Sequence, residues 1–369
     1  MQIYADNAAT TKISDVALKA MMPCFETLYG NPSSLHSVGQ EAKEALEDAR
    51  QRVANCLGCE PREIYFTSGG SEADNQAIIS AARLGARKNK KHIISTAFEH
   101  HAVLHTLSKL EKEGFEVTLL DVKTNHNITA QQVKDAIRPD TCLVTVMYAN
   151  NEIGSVLPIA EIGAVCKEKK VLFHTDAVQA VGHIHINVKE QNIDMLSLSG
   201  HKFHGPKGVG ALYVRRGLPL VNLIEGGAQE WGKRAGTENM PAIMGMAAAL
   251  EESCANMEAH ARHMSALRDQ LMDGLLKYQD VSTFLWYNVP NGREELYYDK
   301  QTDTGVQRNY NIPETSGSSM FAYCLLKGYK CGFLGELAIK TAVLDNTGCA
   351  ILFGSLLDNN AVIPIMSAG

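Results

Sequence analysis

Between about residue 60 and residue 216 the chain alternates short apolar runs with longer stretches of mixed polarity. The runs are EIYFT (63–67), HIIS (92–95), EVTLLDV (116–122), CLVTVMYA (142–149), VLFHT (171–175), DMLSLS (194–199) and VGALYV (209–214). Runs this short, rich in β-branched and apolar residues, predict strands. Between most of them lie stretches with helical periodicity: EADNQAIISAARLGARK, AVLHTLSKLEKEG, TAQQVKDAI and IAEIGAVCKEKK. Strand–helix alternation predicts an α/β fold, a mostly parallel sheet with helices on both faces. A long helical region follows from Asn239 to about Lys277. The chain has no internal repeat and no low-complexity linker.

In open α/β sheets ligands gather outside the carboxyl ends of the strands, so the residues just after each run carry the candidate chemistry. After the first comes SGGSEADN (68–75), small residues opening a helix whose first turn carries Glu72 and Asp74. Free N–H groups at such a helix start bind anions, phosphate above all, although a capped helix after a turn would read the same way. The stretch is neither G-x-G-x-x-G nor a P-loop. His100 and His101 follow the second run, where a histidine is commonly a capping residue. NNEIG (150–154) follows the fourth: Asn150 is a candidate donor to a ligand oxygen or a turn former. DAVQA (176–180) follows the fifth, with Asp176 at a buried strand end and Gln179 one helical turn on. A carboxylate there needs a cation or an N–H partner, and an N-cap would satisfy it. SGHKFHGPKG (199–208) follows the sixth, with Lys202 on a glycine-rich turn and Lys207 as a more distant rival.

Together these are a phosphate cradle, an imidazole, an amide, a carboxylate and a lysine at strand ends of one sheet. The set suits pyridoxal phosphate. A lysine amine forms a Schiff base with the aldehyde, a carboxylate keeps the ring nitrogen protonated, an imidazole stacks on the ring, and the phosphate sits at a helix N-terminus.

Composition narrows the picture. At 369 residues the chain has room for two domains, and 45% hydrophobic with 21% charged residues is ordinary for a soluble globular protein. A net charge of −6 with no basic block disfavours nucleic-acid binding. The closest approach to a membrane span, GCAILFGSLL (348–357), is too short, and MQIYADNAATT lacks the pattern of a signal peptide. Nine scattered cysteines point to a reducing cytoplasm, and the single CxxC of Cys56 and Cys59 reads as structural, with no metal site implied.

Eight stretches, in order and with matching spacing, resemble the cysteine desulfurases of the class-V aminotransferase group: YADNAATT (4–11), YGNPSSLHSVG (29–39), YFTSGGSEADNQAI (65–78), the EH of FEHHAVL (98–104), YANNEIGSVLPI (148–159), FHTDAVQAVGHI (173–184), SLSGHKFHGPKGVGALYVRR (197–216) and GGAQEWGKRAGTEN (226–239). The resemblance covers about residues 1–277. It implies the large domain of the fold-type I pyridoxal-phosphate-dependent transferases over 1–255, with 256–369 a helix and an atypical segment in place of the usual small domain. It further implies that Lys202 bonds the cofactor aldehyde, that His100 stacks on the ring and moves protons, and that Asp176 binds the ring nitrogen. Gln179 would hold the phenolic oxygen with Asn150 near it. Gly70, Ser71, Ser199 and His201 would hold the phosphate, and Thr237 would reach the phosphate of the neighbouring subunit in a homodimer. The activity implied is removal of sulfur from L-cysteine to give L-alanine and an enzyme persulfide. That persulfide would pass to an acceptor or scaffold protein of iron–sulfur assembly or tRNA thiolation. The alternatives are another class-V activity, a selenocysteine lyase or an aminotransferase, and an inactive cofactor-binding protein.

Beyond Lys277 the family pattern stops. No histidine follows His263 and no arginine follows Arg308. Cys324 lies where the family's catalytic thiol falls, yet its context SSMFAYCLLKG reads as an apolar helix, and Cys331 and Cys349 are no better placed. Residues 286–334, with WYNVPN and NYNIPETSGSSMFAYCLLKG, resemble a fragment of the helical-barrel unsaturated glucuronyl and rhamnogalacturonyl hydrolases. A chimera, a truncated desulfurase joined to unrelated coding sequence, is the simplest reading.

Overall fold

The computed structural model describes residues 4, 6–122, 127–276, 294–299 and 304–309. One compact unit holds the described residues up to His260, and a second takes in those from Ala261 on.

All seven predicted strands are present: β1 (Ile64–Thr67), β2 (His92–Thr96), β3 (Glu116–Leu120), β4 (Thr141–Thr145), β5 (Leu172–Asp176), β6 (Met195–Ser199) and β7 (Gly210–Val214). They form one sheet in the order β1-β7-β6-β5-β4-β2-β3. The pairs β2–β3, β2–β4, β4–β5 and β5–β6 are parallel; helices lie in the crossovers of the first three, and a long turn-rich connection over 177–194 makes the fourth. β7 is the exception, antiparallel to both β6 and β1. The cause is local: the connection from β6 to β7 is only the SGHKFHGPKG stretch, too short for a crossover, so the chain folds straight back. Ser199 pairs with Gly210 across that return. A Cβ at Gly210 would lie 2.4 Å from the Leu198 oxygen and 2.8 Å from Gly69 Cα, so glycine lets three backbones meet there.

The helices are α1 (Asp15–Met21), α2 (Pro23–Glu26), α3 (Ser37–Leu57), α4 (Gly70–Ala86), α5 (His101–Lys112), α6 (Ala130–Ala136), α7 (Ile159–Lys169), the single turn α8 (Gln229–Gly232), α9 (Met240–Ala255) and α10 (Met257–Leu276). α4 packs on one face of the sheet against β4, β5, β6 and β7. Its inner face is mostly Ala and Gly, so helix and sheet approach closely. α3 and α1 pack against α9. The predicted helical region from Asn239 is thus two helices, with a non-helical Asn256 between them. The central strands β2, β4, β6 and β7 are buried at every position, while the edge strand β3 is largely open.

Within the segment that resembles a helical barrel, the described residues form an antiparallel hairpin, β8 (Glu294–Asp299) with β9 (Thr304–Asn309). EELYYD and TGVQRN hold the tyrosines and valine that favour extended backbone, joined by a short polar link. Cys324, Cys331, Cys349 and the rest of 310–369 lie outside the described residues.

Candidate active site

The sheet opens at its carboxyl edge into a cavity of about 520 Å³. Of the ten residues expected there, all but Asn150 and Thr237 line it. β5 delivers Asp176, followed by Gln179; β6 delivers Ser199, and the turn after it His201 and Lys202. The start of α4 supplies Gly70 and Ser71. The N-terminal segment, through Asp6, Ala8 and Ala9, covers one side.

Lys202 is half-buried, and its Nζ donates to the Ala8 and Ala9 oxygens. Burial pushes its amine below the ordinary lysine range, while Asp176, Asp6 and Glu152 pull it back up. The turn is laced to the N-terminal segment: the Thr11 hydroxyl donates to the His201 oxygen at 2.8 Å and accepts from the His204 N–H at 2.8 Å. His201 Nδ1 meets Thr10 Oγ1 at 3.0 Å. Lys207 is exposed and does not line the cavity.

His100 is both a helix cap and a cavity residue. Its Nδ1 accepts the Ala102 N–H at 3.1 Å at the start of α5. When neutral, the ring therefore carries its proton on Nε2. The capping reading and the catalytic reading describe the two nitrogens of one ring.

Asp176 is 5% exposed, and its Oδ1 accepts the Val178 N–H at 2.9 Å. Burial pushes its carboxyl up; that N–H, His100 and Lys202 pull it down. Gln179 Nε2 donates to the Ala8 oxygen at 2.9 Å. Asn150 behaves as the turn former: its Oδ1 accepts the Glu152 and Ile153 N–H groups and its Nδ2 donates to the Phe98 oxygen. Asn151 and Glu152, the next two residues, line the cavity in its place. Thr237 is exposed and away from this cavity.

One lining residue was visible in the sequence only as a first-turn acid. Asp74 is buried on α4, and its Oδ1 has no hydrogen-bond partner among the described residues. The available signal was a carboxylate on the helix face that otherwise reads Gly70, Ala73, Ala77, Ile78 and Ala81.

These residues fit pyridoxal phosphate. The start of α4 is an anion cradle with little room to spare, since a Cβ on Gly70 would lie 2.6 Å from Val178 Cγ2. The lining also holds two buried carboxyls, Asp74 and Asp176, and His100 and Lys202 favour Asp176 as the anion, a partner for a cationic ring nitrogen. Lys202 lines the same cavity with an amine that burial makes easier to deprotonate.

The aminotransferase class-V family profile matches residues 3–294. "Cysteine desulfurase IscS" of Methanosarcina thermophila is 51% identical over 275 residues, 74% of this chain and 68% of the relative. A solved "NifS-like protein" superposes with a TM-score of 0.73 at 41% identity, covering 75% of this chain and 76% of that one. A structure described as "SspA in complex with cysteine" gives 0.66 at 46% identity, over 68% of this chain and 72% of that chain.

Proposed function

The chain belongs to the class-V aminotransferase family, and we propose that it carries out the reaction of its cysteine desulfurase relatives, with L-cysteine as substrate and pyridoxal phosphate as cofactor. The observation that carries this reading is the single cavity that gathers Lys202, His100, Asp176, Gln179 and the open start of α4. The relatives' name and the cysteine in one similar structure set the substrate class. Neither observation favours the lyase or aminotransferase alternative.

When bound, pyridoxal phosphate supplies a ring that accepts the electron pair released at the amino acid's α-carbon. The remaining work falls to the protein. Lys202 would hold the aldehyde end and, once displaced by substrate, take and return a proton through Nζ. Asp176 would hold the ring nitrogen in its protonated form. His100 would stack on the ring and pass protons through Nε2, because its Nδ1 is committed to the Ala102 N–H. Gln179 would hold the phenolic oxygen. The N–H groups of Gly70 and Ser71, with Ser199 and His201, would grip the phosphate and resist its release. Asn150 would shape the turn that presents Asn151 and Glu152.

No thiol lines the cavity among the described residues. Burial pushes Cys59 and Cys166 up to about 12 and Cys142 up to about 11, which leaves them poor nucleophiles. The sulfur-accepting thiol would then come from residues 310–369, with Cys324 first in line, and pass its sulfur to an acceptor or scaffold protein. The active form would be a cytoplasmic homodimer in which Thr237 reaches the partner's phosphate. Residues 1–255 would be the cofactor-binding domain and 256–369 its atypical companion.

The test is alanine and sulfide release from L-cysteine with added pyridoxal phosphate and an added thiol that reduces the enzyme persulfide to sulfide, for wild type, Lys202→Ala and Cys324→Ser. Both products from wild type, and none from Lys202→Ala, are expected. Wild type that binds the cofactor but releases no alanine would overturn the reading. Sulfide release undiminished in Cys324→Ser would remove that thiol from the reaction.

A further inference from the structure

Two buried carboxyls line the cavity. Asp176 ends β5, and Asp74 projects from α4, the helix that covers that face of the sheet. Asp74 is 1% exposed and still lines the cavity. Its titratable and charged neighbours are few: Asp176 and His174 on β5, Glu99 after β2, and, acting on Asp176, His100 and Lys202.

None of these gives Asp74 a cation. His174 is fully buried, and both its nitrogens are taken by hydroxyls: Nδ1 by Thr145 Oγ1 at 2.8 Å and Nε2 by Ser197 Oγ at 3.0 Å. Burial drives its imidazole down to about 3, so it is neutral at neutral pH. Its Nε2 lies 3.7 Å from Asp74 Oδ1, beyond hydrogen-bond reach. The orphaned Oδ1 is what an ionised carboxylate could least tolerate, because a buried charge without a partner is strongly destabilising. A neutral carboxyl there costs far less. Burial pushes Asp74 well above the ordinary carboxylate range, Asp176 and Glu99 add to that push, and the Ser197 hydroxyl pulls against it. Two like charges buried in one cavity oppose each other's ionisation, and interacting carboxyls share their protons as a unit.

We propose that Asp74 and Asp176 work as a two-carboxyl unit at the ring-nitrogen end of the cavity, with Asp74 held as the neutral acid and Asp176 as the anion that meets the cationic ring. This rests on the pyridoxal-phosphate reading above. Asp74 is then a positioning residue: its proton keeps the negative charge on Asp176. The chain Thr145–His174–Ser197, bonded hydroxyl to imidazole to hydroxyl, fixes the floor on which Asp74 rests.

The sign of the pH dependence follows. A carboxyl whose folded value is raised contributes stability below its ordinary value and loses it as pH rises toward the folded one. The cofactor-free protein should therefore lose stability, in part through Asp74, as pH rises above the ordinary carboxylate range.

The experiment uses the full-length chain with Asp74→Asn and Asp176→Asn. Asparagine copies the neutral acid. Asp74→Asn should bind pyridoxal phosphate within about twofold of wild type at neutral pH, and Asp176→Asn should weaken it by about tenfold or more. The melting temperature of cofactor-free Asp74→Asn should fall less than that of wild type between about pH 5 and pH 8. A tenfold loss of cofactor affinity in Asp74→Asn would overturn the proposal, because Asp74 would then be needed as an anion. A melting profile that follows wild type across that pH range would overturn it too. If Asp74→Asn does not fold, wild type labelled with 13C at its aspartate carboxyls decides: one aspartate keeps the protonated-acid shift at neutral pH, or the proposal fails. If no form of the protein binds pyridoxal phosphate, the cofactor reading falls. The melting profile and the carboxyl titration still judge Asp74 as the buried acid, and without a ring for Asp176 to meet, the proposal fails as stated.

Discussion

The Nζ of Lys202 lies 2.5 Å from the Ala8 oxygen and 3.0 Å from the Ala9 oxygen, so a segment 194 residues earlier in the chain holds the amine in place. Those carbonyls favour the ammonium, while burial favours the free amine. The cofactor aldehyde needs the free amine, so it competes with Ala8 and Ala9 for one nitrogen. Lys202→Arg separates the two roles. The guanidinium keeps the charge and the donors but forms no bond to the aldehyde. Stability should stay within about 1 kcal/mol of wild type. Borohydride treatment followed by intact mass measurement should show a fixed cofactor on wild type and none on the variant. A fixed cofactor on Lys202→Arg would move the attachment to another lysine.

Gly70 tests the anion cradle. Its φ is unremarkable for a helix start, so the constraint is space: the added methyl of Gly70→Ala meets Val178 Cγ2 at 2.6 Å. Val178 follows directly on Asp176 and Ala177, and any shift disturbs both ends of the cavity. Cofactor affinity should fall about tenfold, which corresponds to about 1.4 kcal/mol, by equilibrium dialysis. Unchanged affinity would mean that the phosphate is held elsewhere.

Arg50 and Glu230 form a buried, two-pronged ion pair at 2.7 and 2.8 Å. Arg50 also donates to the Ile64 oxygen and lies over the Phe66 and Trp231 rings, and Glu230 accepts the Phe66 N–H. Glu230 and Trp231 have left-handed backbones, φ 47° and 53°, a strain that only dense anchoring tolerates. Arg50→Met leaves the Glu230 charge alone in the interior and should cost about 3–5 kcal/mol in denaturant unfolding. Arg50→Met with Glu230→Leu should recover part of that loss. A single variant as stable as wild type would show that the pair anchors nothing.

The thiols of Cys56 on α3 and Cys254 on α9 share a hydrogen bond. The Cys56 hydrogen bond pulls the Cys254 thiol below the ordinary range, and the same contact pushes Cys56 above it. At slightly alkaline pH, iodoacetamide should label Cys254 first among the six described cysteines, by peptide mass spectrometry. Cys56→Ser should slow that labelling. Prior reaction at Cys56 or the buried Cys24 would contradict the assignment.

The strands, the helices between them and the lysine, imidazole and carboxylate at their ends were legible in the amino-acid order. Strand and helix periods are local, and strand ends in a parallel sheet converge whatever else the chain does. His100, Asp176, Gln179 and Lys202 could be picked out for that reason, while Ser199 and His201 entered through the family resemblance. Other features depend on distant segments. β7 turns antiparallel because the β6–β7 connection has no room for a crossover helix, a matter of which strands end up adjacent. Asn150 and His100 each had two readings. Only the fold shows that Asn150 spends its side chain on its own turn, while His100 caps a helix with one nitrogen and lines the cavity beside it. Asp74 stood in the sequence as an acid in the first turn of a helix. Its burial against β5 and β6, and with it the two-carboxyl floor, exists only once α4 lies on the sheet. Whether a carboxyl is charged depends on what surrounds it in three dimensions, and no local pattern carries that.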